Sequence, residues 1–365
     1  MTVGGLRRAA RRTAGLASAA WPPHTRLFLV GEGARWVIDE ELRAVGRIAA
    51  RIGIDVPRRW PSAAAKRQCL FYGSHFTLFD APEAAAAAEH RVATTYFHGR
   101  PGTPGMPEFD EAYAALRARH AELDRVQVSH AEMRDVVLSS GIDPAKVFLI
   151  PIGVEPALFR PQSPEAKAAA RRSLGLAEGA FVVGSFQKDG VGWDDGLEPK
   201  LIKGPDVLVD ALVAARERVP ELVVLLSGPA RGYVKAGLDR AGVPYVHRRV
   251  ERYDEIGPLY AALDAYVVPA RQEGGPKGVL EAMAAGVPLV STRVGQAVDL
   301  VRDGENGWLV DVEDVEAIAG RLASIAAGDP DLAAVRGAGS ATAAANSYAA
   351  QVSLWRDFFD GFVAW

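Results

Sequence analysis

Residues 265–288 read Ala265-Tyr-Val-Val-Pro-Ala-Arg-Gln-Glu-Gly-Gly-Pro-Lys-Gly-Val-Leu-Glu-Ala-Met-Ala-Ala-Gly-Val-Pro288, and strand, loop, helix and stop signals follow one another there. The apolar run 265–268 predicts a buried strand. Pro276 favours a helix start after two glycines, and Gly286 with Pro288 ends that helix. A glycine-rich loop entering a helix behind a parallel strand is an anion site, because unpaired N–H groups and the helix dipole point at the ligand.

Charged residues in this stretch sharpen the prediction. Lys277 falls in the first helical turn, where a cation opposes the helix dipole by roughly 0.3–1 kcal/mol unless an anion accepts it. A diphosphate would supply that anion; the alternative is that Lys277 extends into solvent. Glu273 and Glu281 would lie about 12 Å apart on a continuous helix, beyond the roughly 5–9.5 Å of paired glycosidase carboxylates. The spacing therefore favours one carboxylate on each side of a diphosphate over a hydrolase pair.

The rest of the chain alternates apolar runs with helical patterns, which is typical of parallel α/β folds. The predicted strands are 27–30, 69–72, 92–96, 125–128 and 147–150, then 181–184, 222–226, 245–246, 265–268 and 289–291. The predicted helices are 36–52, 82–90, 108–122, 130–139, 164–174, 205–217, 232–240, 255–262 and 277–285. The pattern predicts one doubly wound half and a second half that repeats its architecture.

The segment Pro151-Ile-Gly-Val-Glu-Pro-Ala-Leu-Phe-Arg160 interrupts this alternation and marks a domain boundary. We expect a first Rossmann-like domain over 1–155 on the acceptor side and a second over 156–345 that binds the nucleotide sugar. Aromatic residues recur at helical spacing from Tyr348 onward. They predict a helix within 346–365 that packs at the domain junction; an oligomer or membrane contact is the alternative.

Composition excludes several classes of protein. A formal net charge of -3 gives no electrostatic bias toward nucleic acid. Cys69 is the only cysteine, so an intrachain disulfide or a thiolate metal cluster cannot form, which favours a reducing cytoplasmic setting. No apolar run reaches the eighteen or so residues of a spanning helix. For residues 1–21 we favour a frayed or docked terminal helix, and their arginines leave open a peripheral contact at the inner membrane face. The oligomeric state is left open too.

The block from Glu273 to Glu281 resembles the E-x7-E signature of retaining GT-B glycosyltransferases of family 4, the glycosyl transferases group 1. The continuation through Gly286-Val-Pro-Leu-Val-Ser-Thr and Asp303-Gly-Glu-Asn-Gly-Trp-Leu-Val310 resembles the same family in order and spacing. The likeness extends over about 125–330 and is weak before residue 90. It implies a GT-B fold: two Rossmann-like domains with parallel sheets facing across a cleft, and a C-terminal helix that crosses back.

The resemblance implies roles for residues of the second half. Glu273 would contact donor-sugar hydroxyls, Glu281 the nucleotide ribose, and Lys203 the β-phosphate. The phosphates would lie in the segment Gly274, Gly275, Pro276, Lys277, Gly278 and Val279, mainly on its amides.

One family feature is missing. The family arginine that follows the strand-end Gly184 is absent, and Lys188 is the candidate replacement, although it supplies a point charge and no bidentate fork. An unusual insertion, 189–200, comes directly after it. In the first half, His98 resembles the family histidine that faces the reacting sugar, and Gly31 with Gly33 loosely matches the first glycine loop.

The implied activity is transfer of a sugar from a nucleoside diphosphate sugar, UDP slightly preferred over GDP, with retention of configuration. The donor is a co-substrate, and we expect no permanently bound cofactor and no metal. The acceptor would be a hydroxyl of a glycan, a lipid-linked sugar or a small natural product. A nucleotide-sugar-binding scaffold and a GT-B 2-epimerase are the alternatives; a Rossmann dehydrogenase is disfavoured because G-x-G-x-x-G does not follow the first strand.

Overall fold

The computed structural model describes residues 22–33, 37–58, 66–80 and 89–365. The leader 1–21 and nearly all of the helix predicted over 82–90 lie outside these residues. The strands are β1 Leu27–Val30, β2 Cys69–Tyr72, β3 Arg91–Thr95, β4 Arg125–Val128, β5 Val147–Leu149, β6 Phe181–Phe186, β7 Leu222–Ser227, β8 Tyr245–His247, β9 Ala265–Val268, β10 Leu289–Thr292 and β11 Trp308–Val310.

The helices extend the predicted pattern, and several were not predicted. They are α1 Val37–Arg51, α2 His75–Asp80, α3 Pro107–Arg119, α4 Ala131–Leu138, α5 Pro164–Ser173, α6 Pro205–Arg218, α7 Gly232–Ala241, α8 Gly257–Tyr260, α9 Lys277–Ala284, α10 Gln296–Leu300, α11 Val315–Ala326, α12 Leu332–Ala345 and α13 Val352–Phe359. The helix predicted over 255–262 is only the short α8, because Tyr253–Glu255 forms a separate 3-10 turn. No helix in the described ranges has the length and apolar character to cross a bilayer.

Two parallel sheets organise the chain. The first has the order β1-β2-β3-β4-β5, and the second has the order β11-β10-β9-β6-β7-β8. The doubly wound prediction is wrong for the first sheet, since the order of its described strands does not reverse. It holds for the second, where the order reverses between β6 and β9. Such a reversal opens a crevice at the carboxyl ends of the two strands, where α/β proteins bind ligands.

The C-terminal helix returns to the first half of the chain. Trp355, Phe358 and Phe359 of α13 are buried with side chains of α1, β1 and β2 on one face of the first sheet. Phe358 packs edge-on against Phe71 with ring centroids 5.6 Å apart. Arg91 donates to the carbonyl of Phe362 at 2.8 Å and so helps to hold the end of this segment. The predicted crossing helix is therefore present, although it is shorter than the aromatic stripe that predicted it.

We expect Phe358→Ala to lower the free energy of unfolding by about 3–5 kcal/mol, the usual cost of removing a buried ring. Phe358 is fully buried, whereas Trp365, seven positions later, is 52% exposed. The matched control Trp365→Ala should change stability by less than about 0.5 kcal/mol. Urea unfolding followed by circular dichroism measures both, and equal effects would show that α13 does not depend on this core.

Candidate active site

A cavity of about 1090 Å³ lies between the two halves at the topological switch point. The second half contributes the segments that follow β6 and β9, and the first half contributes α1 and the segment after β3. Most of the predicted site residues line it. They are His98, Lys188, Lys203, Glu273, Gly274, Gly275, Pro276, Lys277, Gly278 and Glu281.

The loop after β9 is tied to the turn before α6. The backbone N–H groups of Arg271 and Gln272 both donate to the carbonyl of Ile202, at 2.8 and 3.0 Å. Gly204 ends this turn with φ +63°, and a Cβ there would lie 2.1 Å from the carbonyl oxygen of Pro269, so only glycine fits. This alignment brings Lys203 Nζ to 2.5 Å from Glu273 Oε1.

Gly274 brings the same loop against the first half of the chain. A Cβ at this position would lie 2.2 Å from the carbonyl oxygen of Phe97. The carbonyl of Gly274 accepts from the N–H of Gln296 at 2.9 Å, and the side chain of Gln296 accepts from the N–H of Ile152 at 2.9 Å. Gln296 thus joins the loop to the segment between the two sheets, and the loop lies beside the residue that precedes His98.

Three lysines line the cavity near Glu273: Lys188, Lys200 and Lys203. Burial and the neighbouring Lys203 lower the pKa of Lys188. Burial, Lys203 and Lys188 lower the pKa of Lys200 in the same way. Partly buried like charges disfavour one another's charged form unless an anion joins them. The cluster therefore has the electrostatics of a site for a multiply charged anion.

His98 lies in the wall that the first half contributes. Its ring packs edge-on against Phe109 and Phe76, with centroids 5.6 and 5.7 Å away. Burial, followed by the charge of Lys203, holds the pKa of His98 well below its usual range. The ring is therefore neutral near pH 7 and can offer one N–H donor and one nitrogen acceptor to a ligand.

Glu281 is almost fully buried at the back of the cavity, 4% exposed. Its carboxylate accepts hydrogen bonds from Tyr253 at 2.5 Å and Tyr260 at 2.8 Å. Burial raises the pKa of Glu281, and the charge of Lys277 opposes that shift. A carboxylate has about four lone-pair sites, so two tyrosine donors leave room for ligand hydroxyls.

The side chain of Lys277 does not follow either prediction made for it. It is 7% exposed, and it forms an ion pair with Glu41 of α1 and donates to Tyr348 Oη at 2.9 Å. Its ammonium also lies 4.9 Å from the ring centroid of Tyr253. A protein carboxylate from the first half thus satisfies the cation that was expected to need a diphosphate. The backbone N–H of Lys277 stays at the start of α9.

Four further positions differ from the prediction in detail. Pro276 caps α9, which starts one residue later, at Lys277. Val279 is fully buried in the core and its N–H donates to the carbonyl of Pro276, so it cannot contact a ligand. Gly31 and Gly33 are exposed, and only Glu32 between them lines the cavity.

Sequence reasoning missed two cations beside the site. Lys200 is the last residue of the insertion, and nothing in the family pattern marks it. Arg231 is fully buried and donates to the carbonyls of Ser185, Gln187 and Ser227 at 2.7, 3.0 and 3.0 Å. Its guanidinium thus holds the carboxyl ends of β6 and β7 together behind Lys188. The Gly-Pro-Ala-Arg sequence at a strand end was the available signal for it.

We expect the ion pair between Lys277 and Glu41 to couple the two halves energetically. Removing one partner of a buried pair costs about 3–5 kcal/mol, because the other charge stays buried alone. Lys277→Met and Glu41→Gln should each destabilise the protein strongly, and the double variant should lose much less than their sum. A double-mutant cycle on urea unfolding energies measures the coupling.

The control cycle uses Arg218 and Glu316, whose contact distance is 2.5 Å but whose side chains are 40% and 71% exposed. Exposed pairs couple by about 1 kcal/mol or less. A Lys277–Glu41 coupling no larger than this control would contradict the assignment.

We expect acid to destabilise the protein through His98 and His75. Burial lowers the pKa of His75 to about 3, and that of His98 is lowered too. Unfolding therefore takes up protons below about pH 6.5, and each residue removes about 1.4 kcal/mol of stability per pH unit. His98→Gln should reduce this slope by one residue's share in urea unfolding between about pH 7 and 5. An unchanged slope would show that His98 titrates normally.

The chain resembles known glycosyltransferases in sequence. Residues 196–327 match the family described as glycosyl transferases group 1. A D-inositol 3-phosphate glycosyltransferase of Salinispora arenicola is 35% identical over 214 residues, 53% of this chain and 45% of that protein. A GDP-mannose-dependent alpha-(1-6)-phosphatidylinositol monomannoside mannosyltransferase of Mycolicibacterium smegmatis is 31% identical over 263 residues, 69% of this chain and 64% of that protein. The chain spans about half the length of the curated relatives it matches.

Solved structures confirm the fold class. HepE of Anabaena, solved in complex with UDP, superposes with a TM-score of 0.72 over 92% of this chain and 99% of its own, at 18% identity. Sucrose-phosphate synthase of Thermosynechococcus elongatus superposes with a TM-score of 0.69 at 18% identity, over 92% of this chain and all of its own. The GT-B fold is thus confirmed, and together with the matched family it supports a GT-B glycosyltransferase.

Proposed function

We propose that this protein is a retaining glycosyltransferase of the family 4 type. It moves a sugar from a nucleoside diphosphate sugar to a hydroxyl of a glycan, a glycolipid or a natural product. The E-x7-E pair, Glu273 and Glu281, brackets the donor, with the sugar toward Glu273 and the ribose toward Glu281. The expected domains, 1–155 for the acceptor and 156–345 for the donor, agree with a cavity that both halves line.

The lysine cluster carries this proposal. Lys188, Lys200 and Lys203 surround one end of a cavity whose floor is the glycine loop before α9. Helix N-termini and lysines together favour phosphates, and the loop glycines allow close backbone approach. Gly278 also has a structural reason, since a Cβ there would lie 2.5 Å from the ring of Tyr266. A diphosphate would offset the burial and the mutual repulsion that lower the pKa values of Lys188 and Lys200.

The reaction needs electrostatic stabilisation more than a protein nucleophile. The bond from the anomeric carbon to the diphosphate oxygen breaks, and negative charge develops on the leaving group beside Lys203. The acceptor oxygen bonds to the same face of the anomeric carbon, and its proton passes to a phosphate oxygen. A neutral His98 orients the sugar by hydrogen bonding. Glu273 accepts hydrogen bonds from the sugar hydroxyls with the carboxylate oxygen that is not paired with Lys203.

Donor, metal and location complete the proposal. UDP is preferred slightly over GDP, since HepE was solved with UDP, although one relative is named for GDP-mannose. The proposed enzyme needs no metal and holds no permanent cofactor. We propose a cytoplasmic protein that can contact the inner membrane face, and no nucleic-acid partner.

We expect one nucleotide sugar to raise the melting temperature selectively and to release its diphosphate slowly with EDTA present. The screen uses purified protein with UDP-, GDP-, ADP- and dTDP-sugars, because each tests one donor base. Glu273→Gln keeps the shape of the side chain but removes the charge that faces Lys203. It should lower the release rate about a hundredfold, the usual scale for one electrostatic group at a transition state.

Glu178→Gln is the matched control, because Glu178 is exposed and does not line the cavity. Its release rate should equal that of the unchanged protein. Selective binding without any release would favour the scaffold, and conversion of the donor sugar without acceptor would favour the 2-epimerase. No stabilisation by any donor would overturn the assigned phosphate site.

A further inference from the structure

The insertion 189–200 forms a small hairpin on the donor side of the cavity. Gly190 and Pro199 form an antiparallel bridge, and the N–H of Val191 donates to the carbonyl of Glu198 at 2.9 Å. The N–H of Lys200 closes its base by donating to the carbonyl of Asp189 at 2.8 Å. We call residues 189–200 the insertion hairpin.

Contacts at both ends hold the insertion hairpin in place. The first N–H groups of α7, those of Gly232 and Tyr233, donate to the carbonyls of Asp195 and Gly196 at 2.6 and 2.9 Å. A Cβ on Gly196 would lie 2.3 Å from the backbone of Ala230, so the tip packs directly on the chain. At the base, buried Asp189 lies 3.1 Å from Arg231. These contacts hold the hairpin in one conformation, so its surface is preorganised for a ligand.

This fixed surface exposes an unusual share of large apolar side chains. Trp193 is 54% exposed, and Leu197 is 68% exposed. Val191 and the adjoining Leu201 are also exposed, so four of the nine exposed large apolar side chains in the described residues fall within 191–201. Concentrated exposure of this kind marks a binding surface more often than chance.

The exposed surface adjoins the cavity mouth, where the two halves meet. The ammonium of Lys188, which lines the cavity, lies 4.8 Å from the ring centroid of Trp193. Lys200, at the other end of the hairpin, also lines the cavity, and so does Glu108 of α3 in the first half. The exposed side chains of the hairpin therefore lie next to residues that line the cavity.

The charges around Trp193 decide what kind of molecule fits. Asp194, Asp195 and Glu198 are exposed, and no ion pair is formed by any of them within the described residues. Three carboxylates outnumber the one ammonium in contact with Trp193, that of Lys188, so the patch disfavours phosphorylated headgroups and anionic lipid surfaces. The carboxylates accept hydrogen bonds readily from hydroxyl groups. An indole face beside hydroxyl acceptors suits an uncharged sugar ring, whose C–H face is apolar and whose edge is polar.

We infer that the insertion hairpin is an acceptor subsite. In it, Trp193 stacks on an uncharged pyranose of the acceptor, and Asp194 and Asp195 accept hydrogen bonds from the hydroxyls of that sugar. The inference rests on the proposed function and adds the substrate class. It places part of acceptor recognition on the donor-binding half, beside the diphosphate cations. An uncharged glycan or glycoside is thereby selected over a phosphorylated acceptor.

The test uses methyl α-glucoside, methyl α-mannoside and methyl β-galactoside as probes, and methyl glucuronide as the charged comparator. Tryptophan emission of the unchanged protein minus that of Trp193→Phe isolates the response of Trp193. At least one neutral glycoside should change this difference signal, and methyl glucuronide should bind at least tenfold more weakly. With the donor from the earlier screen, Trp193→Ala should raise the KM for that glycoside about tenfold more than the KM for the donor.

Trp365→Ala removes another exposed tryptophan, remote from the cavity lining, and should leave both KM values unchanged. Asp194→Asn with Asp195→Asn should abolish the discrimination against methyl glucuronide while the protein stays folded. The inference is overturned if no neutral glycoside changes the Trp193 signal, if the charged comparator binds as well, or if only phosphatidylcholine vesicles give a response. Failure of the proposed function is distinct: the unchanged protein would then show no donor stabilisation, whatever the glycosides do.

Discussion

Accumulated positive charge at the carboxyl ends of β6 and β9 is the constraint on which this site depends. Parallel strands end at the same edge, so the loops that follow them carry Lys188 and Glu273 to one place. Two further lysines and the N-terminus of α9 add to the same potential. Glu273 answers one of these charges by pairing with Lys203. The ammonium groups of Lys188 and Lys200 form no ion pair with a carboxylate in the described cavity lining. A diphosphate would supply the missing negative charge.

A second ion pair, between Lys277 and Glu41, connects the two halves of the chain. Lys277 lines the same cavity as the three lysines, but its ammonium contacts Glu41 and Tyr348. Those partners belong to α1 and to the segment before α13, so the contact joins the start of α9 to the first half. Tyr253 lies beneath the same ammonium and donates to Glu281. Glu281 and the contact between the halves therefore share one buried polar network, and movement of the halves would disturb both.

The sequence predicted those parts of the protein that depend on local pattern. The strand, glycine loop and helix around 265–288 were predicted closely, because each boundary has its own residue signal. The ion pair of Lys277 could not be predicted, since its partner is 236 residues away along the chain. Val279 was also predicted wrongly. It was expected to face the ligand because it lies in the segment that resembles the family, but its position in α9 points its side chain into the core. Strand order in the first half was missed because alternation of strands and helices does not specify on which edge each strand adds.

An arginine from elsewhere in the chain, Arg231, lies close to the position of the missing family arginine. Arg231 brings a guanidinium to Ser185, immediately after the glycine where the family carries its arginine, but three strand-end carbonyls and Asp189 occupy it. It does not line the cavity. By holding Gln187 and Asp189 it fixes the residue between them, which is Lys188. The charge that faces the cavity is thus a lysine, and the arginine acts one layer behind it as the group that keeps that lysine in place.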